Sequence, residues 1–331
     1  MTDRRYINQM RDAERVEGAF SIANTQQGTT RTGKPYLRAL IGDKTGQVAG
    51  RMWSIEEALY RSLPSDGFVE IEGETQAYQG ELQIVIHNIR ALDPTPEQLR
   101  ELLPASSRDP KEMFAEVQKL LGTLEHPAMV ALAEVYLADE HLMDAFRTAP
   151  AAQRMHHAYL GGLIEHTLSL MNIANSVCPW YPKISRDLVI MGLFLHDLGK
   201  TRELFYDKGF GYTDRGHLVG HIVEGAIMLH DKSQQLMSEK GVRLPAGALT
   251  ALQHIILSHH GRPEYGAAKV PSSPEAVLVS MLDDIDAKME ICLKAARPDM
   301  AEGLELGGNF TEKQWAFEGN PRLYKPDPLA T

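Results

Sequence analysis

The chain has 331 residues, of which 43% are hydrophobic and 24% charged, and its formal net charge is −10. This size predicts a globular protein with room for two domains, and the acidic balance argues against a broad, non-specific binder of duplex DNA. The sequence has no apolar run of about 18 residues that would cross a membrane, its N-terminus lacks the apolar core of a secretion signal, and two cysteines are typical of a reducing cytoplasm.

Residues 1–93 alternate apolar and polar positions between turns, which predicts short β-strands. The expected strands are 18–22, 36–41, 47–53, 68–75 and 82–89, with a turn at Gln79–Gly80 and a short helix at 54–62. Five strands with a helix after the third are the layout of an OB-fold barrel. The runs Lys34–Leu37, Asp43–Gly46 and Met52–Trp53 resemble OB domains that bind nucleic acids.

That resemblance implies a surface that binds single-stranded RNA or DNA through aromatic stacking and nearby cations. The candidate residues are Arg31, Lys34, Tyr36, Arg38, Arg51, Trp53 and Tyr78. Tyr36 and Arg38 are two positions apart in a predicted strand, so both side chains are expected on one solvated face of that strand. Tyr78 is expected at a hairpin tip. Trp53, at a strand end, is open to two interpretations, a core residue or a stacking platform.

The run Asp93–Pro96 breaks this pattern and marks a domain boundary. Residues 94–150 are predicted to be a helical bridge, because apolar residues recur there at helical spacing. Residues 151–297 are predicted to form an all-α domain, and residues 298–331 a tail that packs back on the protein. The predicted fold class is multidomain α+β, an N-terminal five-stranded OB-fold barrel followed by an all-α domain.

The most informative feature of the helical region is the pair His196-Asp197 within an apolar run, residues 192–200. A buried Asp is costly unless a positive charge lies against it. A divalent cation meets that need, since it takes a neutral nitrogen from His196 and an anionic oxygen from Asp197. A helix end followed by a glycine turn would explain Asp197 and Gly199, but not His196.

Further His and Asp residues follow on separate helical segments, in the order His166, His196-Asp197, His221, His259-His260 and Asp283. This order resembles the HD-domain superfamily of metal-dependent phosphohydrolases. The resemblance implies that His166, the His196-Asp197 pair and Asp283 hold one metal ion. It also implies that His221 and one or both of His259 and His260 hold a second, with the division between these two left open.

Three neighbouring residues have roles that the sequence leaves less defined. Asp286 lies three residues after Asp283 on nearly the same helical face, where it would orient a ligand. Lys200 has two interpretations, a fixed positive charge that reaches a phosphate or a lysine that points to solvent after a helix end. His217 stands four residues before His221 and is kept only as a weak candidate for substrate contact.

The segment Met155–Thr167, MHHAYLGGLIEHT, is unusually specific. It resembles the YhaM family of bacterial 3′→5′ exoribonucleases, which join an N-terminal OB domain to an HD domain. The resemblance covers about nine tenths of the chain and extends to Thr311–Lys313. It makes His156 and His157 possible substrate contacts. His217 departs from the family pattern, in which a non-ligand polar residue is expected.

These features together predict a metal-dependent 3′→5′ exoribonuclease, a cytoplasmic hydrolase acting on single-stranded RNA, with single-stranded DNA and homo-oligomerisation left open. Asp197 and Lys200 are its expected catalytic residues, and Asp197 would bridge two ions. The family resemblance implies Mn, while Fe, Co, Ni and Mg also fit the donor types, and the number of ions per chain, one or two, is left open. Two alternatives remain, a phosphohydrolase or phosphodiesterase of small nucleotides and a non-catalytic DNA-binding factor. No Gly-Tyr-Pro follows His259-His260, which argues against a cyclic-dinucleotide phosphodiesterase.

Overall fold

The computed structural model describes residues 4–30, 33–78, 81–152, 159–206, 210–297 and 309–326. The chain divides into two compact units. One comprises Met1–Ser107 with Phe205–Gly211, and the other comprises Arg108–Leu204 with Tyr212–Thr331. Of the predicted site residues, Arg31, His156 and His157 lie outside the described ranges.

The N-terminal unit is built on a closed β-barrel with the strand order β1-β2-β3-β5-β4. Its strands are β1 (Arg15–Thr29), β2 (Pro35–Asp43), β3 (Gly46–Trp53), β4 (Gly67–Tyr78) and β5 (Glu81–Ala91). Helix α1 (Glu57–Ser62) separates β3 from β4, and a parallel pairing of β3 with β5 closes the barrel. This confirms the predicted OB-fold barrel.

Alternating residues of the strands fill the barrel core. Leu37 and Ile41 of β2, Ile71 of β4 and Ile84 of β5 have no exposed surface. Successive side chains of a strand point to opposite faces, so the residues between these positions face outward. The barrel therefore presents Tyr36 and Arg38 on its outer surface, as the sequence predicts.

Strand β1 is much longer than predicted, because it continues through the polar stretch after Ile22 to Thr29. A register shift between Ala23 and Gln26 accompanies a positive φ of 53° at Asn24. The bulge lets a strand without apolar alternation continue its pairing with β2.

The second unit is predominantly helical. Its helices are α3 (Pro110–Leu121), α4 (Pro127–Leu137), α5 (Glu140–Thr148), α6 (Gly162–Val177), α7 (Arg186–Leu195), α8 (Lys200–Glu203), α9 (Asp214–Leu218), α10 (Gly220–Lys240), α11 (Ala246–Ser258) and α12 (Pro274–Ala296). Helix α2 (Pro96–Leu102) belongs to the barrel unit instead. Among the described residues, no helix is both long enough and apolar enough to cross a membrane.

Two short β-ladders lie within the region expected to be wholly helical or tail. Strands β6 (Leu204–Phe205) and β7 (Gly211–Tyr212) pair, as do β8 (Phe310–Lys313) and β9 (Arg322–Tyr324). The C-terminal hairpin is tied to the end of α12, where the Arg297 guanidinium donates a 2.6 Å hydrogen bond to the carbonyl oxygen of Lys325.

Candidate metal centre

The seven predicted metal ligands come together in the helical unit. His166 lies in the first half of α6, and His196 and Asp197 follow directly after the last residue of α7. His221 begins α10, His259 and His260 follow the last residue of α11, and Asp283 lies in the middle of α12. Residues separated by more than a hundred positions thus meet at one site.

A glycine explains how the turn after His196-Asp197 reaches α10. A Cβ atom at Gly199 would lie 2.1 Å from the carbonyl oxygen of His221. No other residue type leaves space for this close approach of two backbones. The short segment from His196 to Gly199 therefore brings Asp197 against His221, and the sequence pattern His-Asp-x-Gly has a structural reason.

The first group of donors comprises His166, His196, Asp283 and one oxygen of Asp197. The Nε2 atom of His166 lies 3.2 Å from Asp283 Oδ1 and 3.3 Å from His196 Nε2. Asp197 Oδ2 lies 3.7 Å and 3.4 Å from the Nε2 atoms of His166 and His196. Ligands about 2.1 Å from one ion are separated by roughly this much, so the four atoms fit a single metal position.

The second group faces the other oxygen of Asp197. Asp197 Oδ1 lies 3.6 Å from His221 Nε2 and 3.5 Å from His259 Nε2. His260 offers a ring nitrogen to the same group, within 4.8 Å of the other donor atoms. Asp197 therefore turns one carboxylate oxygen to each group, the geometry of a bridging ligand.

The hydrogen bonding of these atoms tests whether a metal fits. Asp197 Oδ1, His221 Nε2 and His259 Nε2 are buried, and each lacks a hydrogen-bond partner in the described structure. A buried polar atom without a partner costs free energy, and such atoms are rare in folded proteins. Three of them converge on one point, and all three are types of atom that bind divalent cations. The residues fit a divalent ion.

The other nitrogen of each imidazole is held by an acceptor. The Nδ1 atoms of His196 and His259 lie 2.7 Å and 2.8 Å from the carbonyl oxygens of Leu193 and Ile256. His260 Nδ1 lies 2.8 Å from the carbonyl oxygen of Tyr265. A ring that donates from Nδ1 keeps a lone pair on Nε2, the form needed for metal binding.

Two of the imidazoles use carboxylates for this purpose. His166 Nδ1 lies 2.8 Å from Asp286 Oδ2, which is the orienting contact expected for Asp286. His221 Nδ1 lies 2.9 Å from Glu203 Oε2. Sequence reasoning missed Glu203, because nothing in the charged run Lys200–Glu203 distinguishes it from a surface residue. Glu203 lies 18 positions before His221 in the sequence, and the two side chains come into contact only in the folded chain.

Lys200 does not point to solvent, so that interpretation is wrong. Its side chain is buried, and its Nζ atom lies 2.7 Å from Asp197 Oδ2. Burial alone would raise the pKa of Asp197, but the Lys200 ammonium and neighbouring histidines hold that pKa well below its usual range. Asp197 is thus an anion at neutral pH, the form in which a carboxylate binds a cation.

The histidines differ in their affinity for protons. Burial alone would lower the pKa of His166, but hydrogen bonds to Asp283 and Asp286 outweigh it and raise that pKa to about 10. Burial and the neighbouring His259 lower the pKa of His260 to about 4. His260 is therefore neutral near pH 7, whereas His166 would have to lose a proton before it could bind an ion.

The donor groups open into a cavity of about 890 Å³. Its lining includes Lys200, His221, His259, His260 and Asp283 from the donor groups, together with Arg262, Tyr265 and Lys288. Cavities of several hundred Å³ accommodate ligands the size of a nucleotide. Cations at this wall suit a ligand that carries phosphate.

The barrel unit carries a separate aromatic and basic surface. Tyr36 is paired with Trp53 across β2 and β3, and their ring centroids are 5.4 Å apart. Trp53 is 47% exposed and Tyr78 is 50% exposed, so neither is a core residue. The Arg51 guanidinium lies 6.0 Å from the Trp53 ring and 5.7 Å from the Tyr78 ring. Lys34 and Arg38 are exposed as well.

Gly28 of β1 fixes the position of Tyr36. A Cβ atom at Gly28 would lie 2.6 Å from atoms of the Tyr36 ring, so the ring lies directly over the glycine. His217, the weak candidate for substrate contact, is not part of either donor group. Its ring centroid lies 5.3 Å from that of Tyr212.

The family model and the curated relatives that match this chain agree with each other. The family model named HD domain matches residues 163–288, a range that contains all seven donors. The chain is 32% identical to the 3′-5′ exoribonuclease YhaM of Shouchella clausii over 97% of this chain and 96% of that protein. It is 30% identical to the protein of that name from Bacillus subtilis, over 95% of each chain. The second OB-fold domain of replication protein A from Methanococcus maripaludis aligns with 28% of this chain and 96% of its own, at 14% identity and a TM-score of 0.21.

Proposed function

This chain belongs to the YhaM family of 3′-5′ exoribonucleases, and we propose that it removes nucleoside monophosphates in succession from the 3′ end of single-stranded RNA. It is a hydrolytic nuclease whose HD domain depends on divalent metal ions. We assign it to the cytoplasm, where the free thiols of Cys178 and Cys292 stay reduced.

The observation that carries the proposal is the division of Asp197 between the two donor groups. Its Oδ2 atom lies within 4 Å of His166 and His196, which form a group with Asp283, whereas its Oδ1 atom lies within 4 Å of His221 and His259. A single metal would leave the buried atoms of the second group without partners. We therefore propose two ions per chain, with all seven predicted residues as ligands.

We propose Mn as the metal. The donor atoms are imidazole nitrogens and carboxylate oxygens, with no thiolate among the described donors. This set suits Mn, Fe, Co or Ni, whereas thiolate ligands would favour zinc. When bound, a pair of such ions supplies a water nucleophile at neutral pH and neutralises charge on the phosphodiester.

The chain's own residues supply orientation and fixed charge. Glu203 and Asp286 hold the rings of His221 and His166 through their Nδ1 atoms. Lys200 places an ammonium group at the cavity wall, where it would attract the scissile phosphate. Asp197 and Lys200 are thus our candidates for catalytic residues.

The barrel surface supports RNA as the substrate rather than a free nucleotide. Tyr36, Trp53 and Tyr78 offer faces on which bases stack, and Arg51 lies over two of these rings. Proteins that hold single strands without sequence preference use this combination. A hydrolase of free nucleotides would have no use for it.

The test is degradation of a 5′-labelled single-stranded RNA by the full chain. With Mn present, we expect products that shorten progressively from the 3′ end, and with chelator, intact RNA. His196→Ala should abolish the reaction, because a ligand of the first group is lost. His254→Ala is a matched control on α11, since the His254 Nε2 atom accepts a hydrogen bond from the Ser272 N–H outside the donor groups. Full activity of His196→Ala with its metal bound would refute the assignment.

A further inference from the structure

The loop that follows α11 places an aromatic ring at the wall of the metal cavity. Tyr265 ends the short 3₁₀ turn Pro263–Tyr265, and it lines the cavity together with His260. Its side chain is 66% exposed. The ring therefore contributes little to the stability of the fold.

The backbone beneath this ring is tightly held. The carbonyl oxygen of Tyr265 accepts the hydrogen bond from His260 Nδ1 at 2.8 Å, and the Tyr265 N–H donates to the carbonyl of Arg262 at 3.0 Å. Glycines at both ends of the loop, Gly261 and Gly266, have φ values of 76° and 95°, a region that other residues rarely adopt. The ring is thus carried by a loop bonded directly to a candidate metal ligand.

An exposed aromatic ring beside a phosphate-binding centre has a specific use in a nuclease. Every nucleobase presents a π-face, and aromatic side chains hold unpaired bases by stacking. A phosphodiester bound at the donor groups would leave its attached nucleoside within the same cavity that Tyr265 lines.

We propose that Tyr265 stacks on the base of the 3′-terminal nucleotide and so positions each nucleotide for removal. This inference rests on the proposed exoribonuclease function and assigns that site its base-binding residue. Stacking uses the face common to all bases, so Tyr265 would accept any of the four, as a stepwise exonuclease requires.

The experiment compares two RNAs of one sequence that differ only at the 3′ end, where one carries an abasic ribose. The full-length enzyme with Mn is assayed for removal of the first nucleotide. Tyr265→Ala should lower kcat/KM on normal RNA by roughly 5- to 160-fold, the equivalent of one lost base stack. The abasic end should slow the wild type by a similar factor, and Tyr265→Ala should lose nothing further on it.

Controls separate stacking from a structural effect. Tyr265→Phe keeps the ring and should stay close to wild type. Tyr181→Ala removes a tyrosine that is 55% exposed and lies outside the cavity lining, and it should not affect either RNA. The metal content of all variants is measured in parallel and should not change.

Equal rates of the wild type on the two RNAs, or an equal loss by Tyr265→Ala on both, would overturn the stacking proposal alone. Loss of metal by Tyr265→Ala would also overturn it, because the ring would then support the centre rather than bind the substrate. A wild-type protein that leaves normal RNA intact would overturn the proposed function, and this inference with it.

Discussion

Glu203 offers the sharpest test of how the centre is organised, because it contacts only one of the two donor groups. Its carboxylate accepts from His221 twice, from Nδ1 at 2.9 Å and from the backbone N–H at 3.0 Å. Burial alone would raise the pKa of Glu203, but the hydrogen bonds from His221 outweigh it and lower that pKa. The residue is thus a charged acceptor that fixes the tautomer and direction of one ligand.

Removal of such an acceptor lowers metal affinity about 10- to 100-fold, which corresponds to about 1.4 to 2.7 kcal/mol. We expect Glu203→Ala to lower metal affinity by a factor near the upper end of this range, because the His221 ring and its backbone N–H both lose their acceptor. Glu203→Gln should be at the lower end, because its amide oxygen still accepts one hydrogen bond. Among the described donor residues, Glu203 hydrogen-bonds to His221, so the group formed by His166, His196 and Asp283 should keep its affinity.

Calorimetric titration of the ion-free full chain with Mn measures both sites. The wild type should show two classes of binding, and the Glu203 variants should weaken one of them. Glu264→Gln is the control, because Glu264 is an exposed carboxylate in the turn after His260 and does not orient a histidine. Unchanged binding in Glu203→Ala, or equal weakening of both classes, would refute the reasoning.

Three further predictions concern the charge at the cavity, the barrel and the pH. Lys200→Ala should lower kcat on labelled RNA about 10- to 1000-fold with unchanged metal content, since one charge contact to the phosphate is lost; an unaltered rate would contradict this. Trp53→Ala should weaken RNA binding, measured by fluorescence anisotropy, roughly 5- to 160-fold. Trp180, which is also exposed, is the control, and Trp180→Ala should leave binding unchanged. Equal losses in the two variants would show that the barrel surface does not bind the RNA by stacking. Mn affinity should rise with pH, because the pKa of His166 is raised to about 10 and its proton must leave before an ion binds; calorimetry showing constant affinity between about pH 6 and 9 would disprove that linkage.

The helical periodicity predicted the helices of the second unit, and the resemblance of the His-Asp order to the HD-domain superfamily supplied the seven candidate ligands. His166 and the pair His196-Asp197 also stand out by themselves, because they are polar residues within apolar runs. Asp283, which has charged neighbours, does not. Asp286 could be identified as well, because it lies three residues from Asp283 on the same helix. The sequence also predicted the five strands of the barrel and the helix between β3 and β4.

Features that depend on tertiary approach could not be predicted. Glu203 accepts a hydrogen bond from a histidine on another helix, and the residues beside it in the sequence do not indicate that it is buried. Lys200 is buried only because Asp197 turns toward it, so its local sequence left the solvent-facing alternative open. The extension of β1 depends on a bulge at Asn24 in a stretch without apolar alternation.

The central claim is that one carboxylate, Asp197, bridges two metal ions. Anomalous diffraction at the manganese edge from crystals of the full chain grown with Mn tests it directly. We predict two peaks per chain about 3.5 to 4 Å apart. One should lie against Asp197 Oδ2 with His166, His196 and Asp283, and the other against Asp197 Oδ1 with His221, His259 and His260. A single peak, or peaks only at carboxylates outside these two groups, would contradict the account.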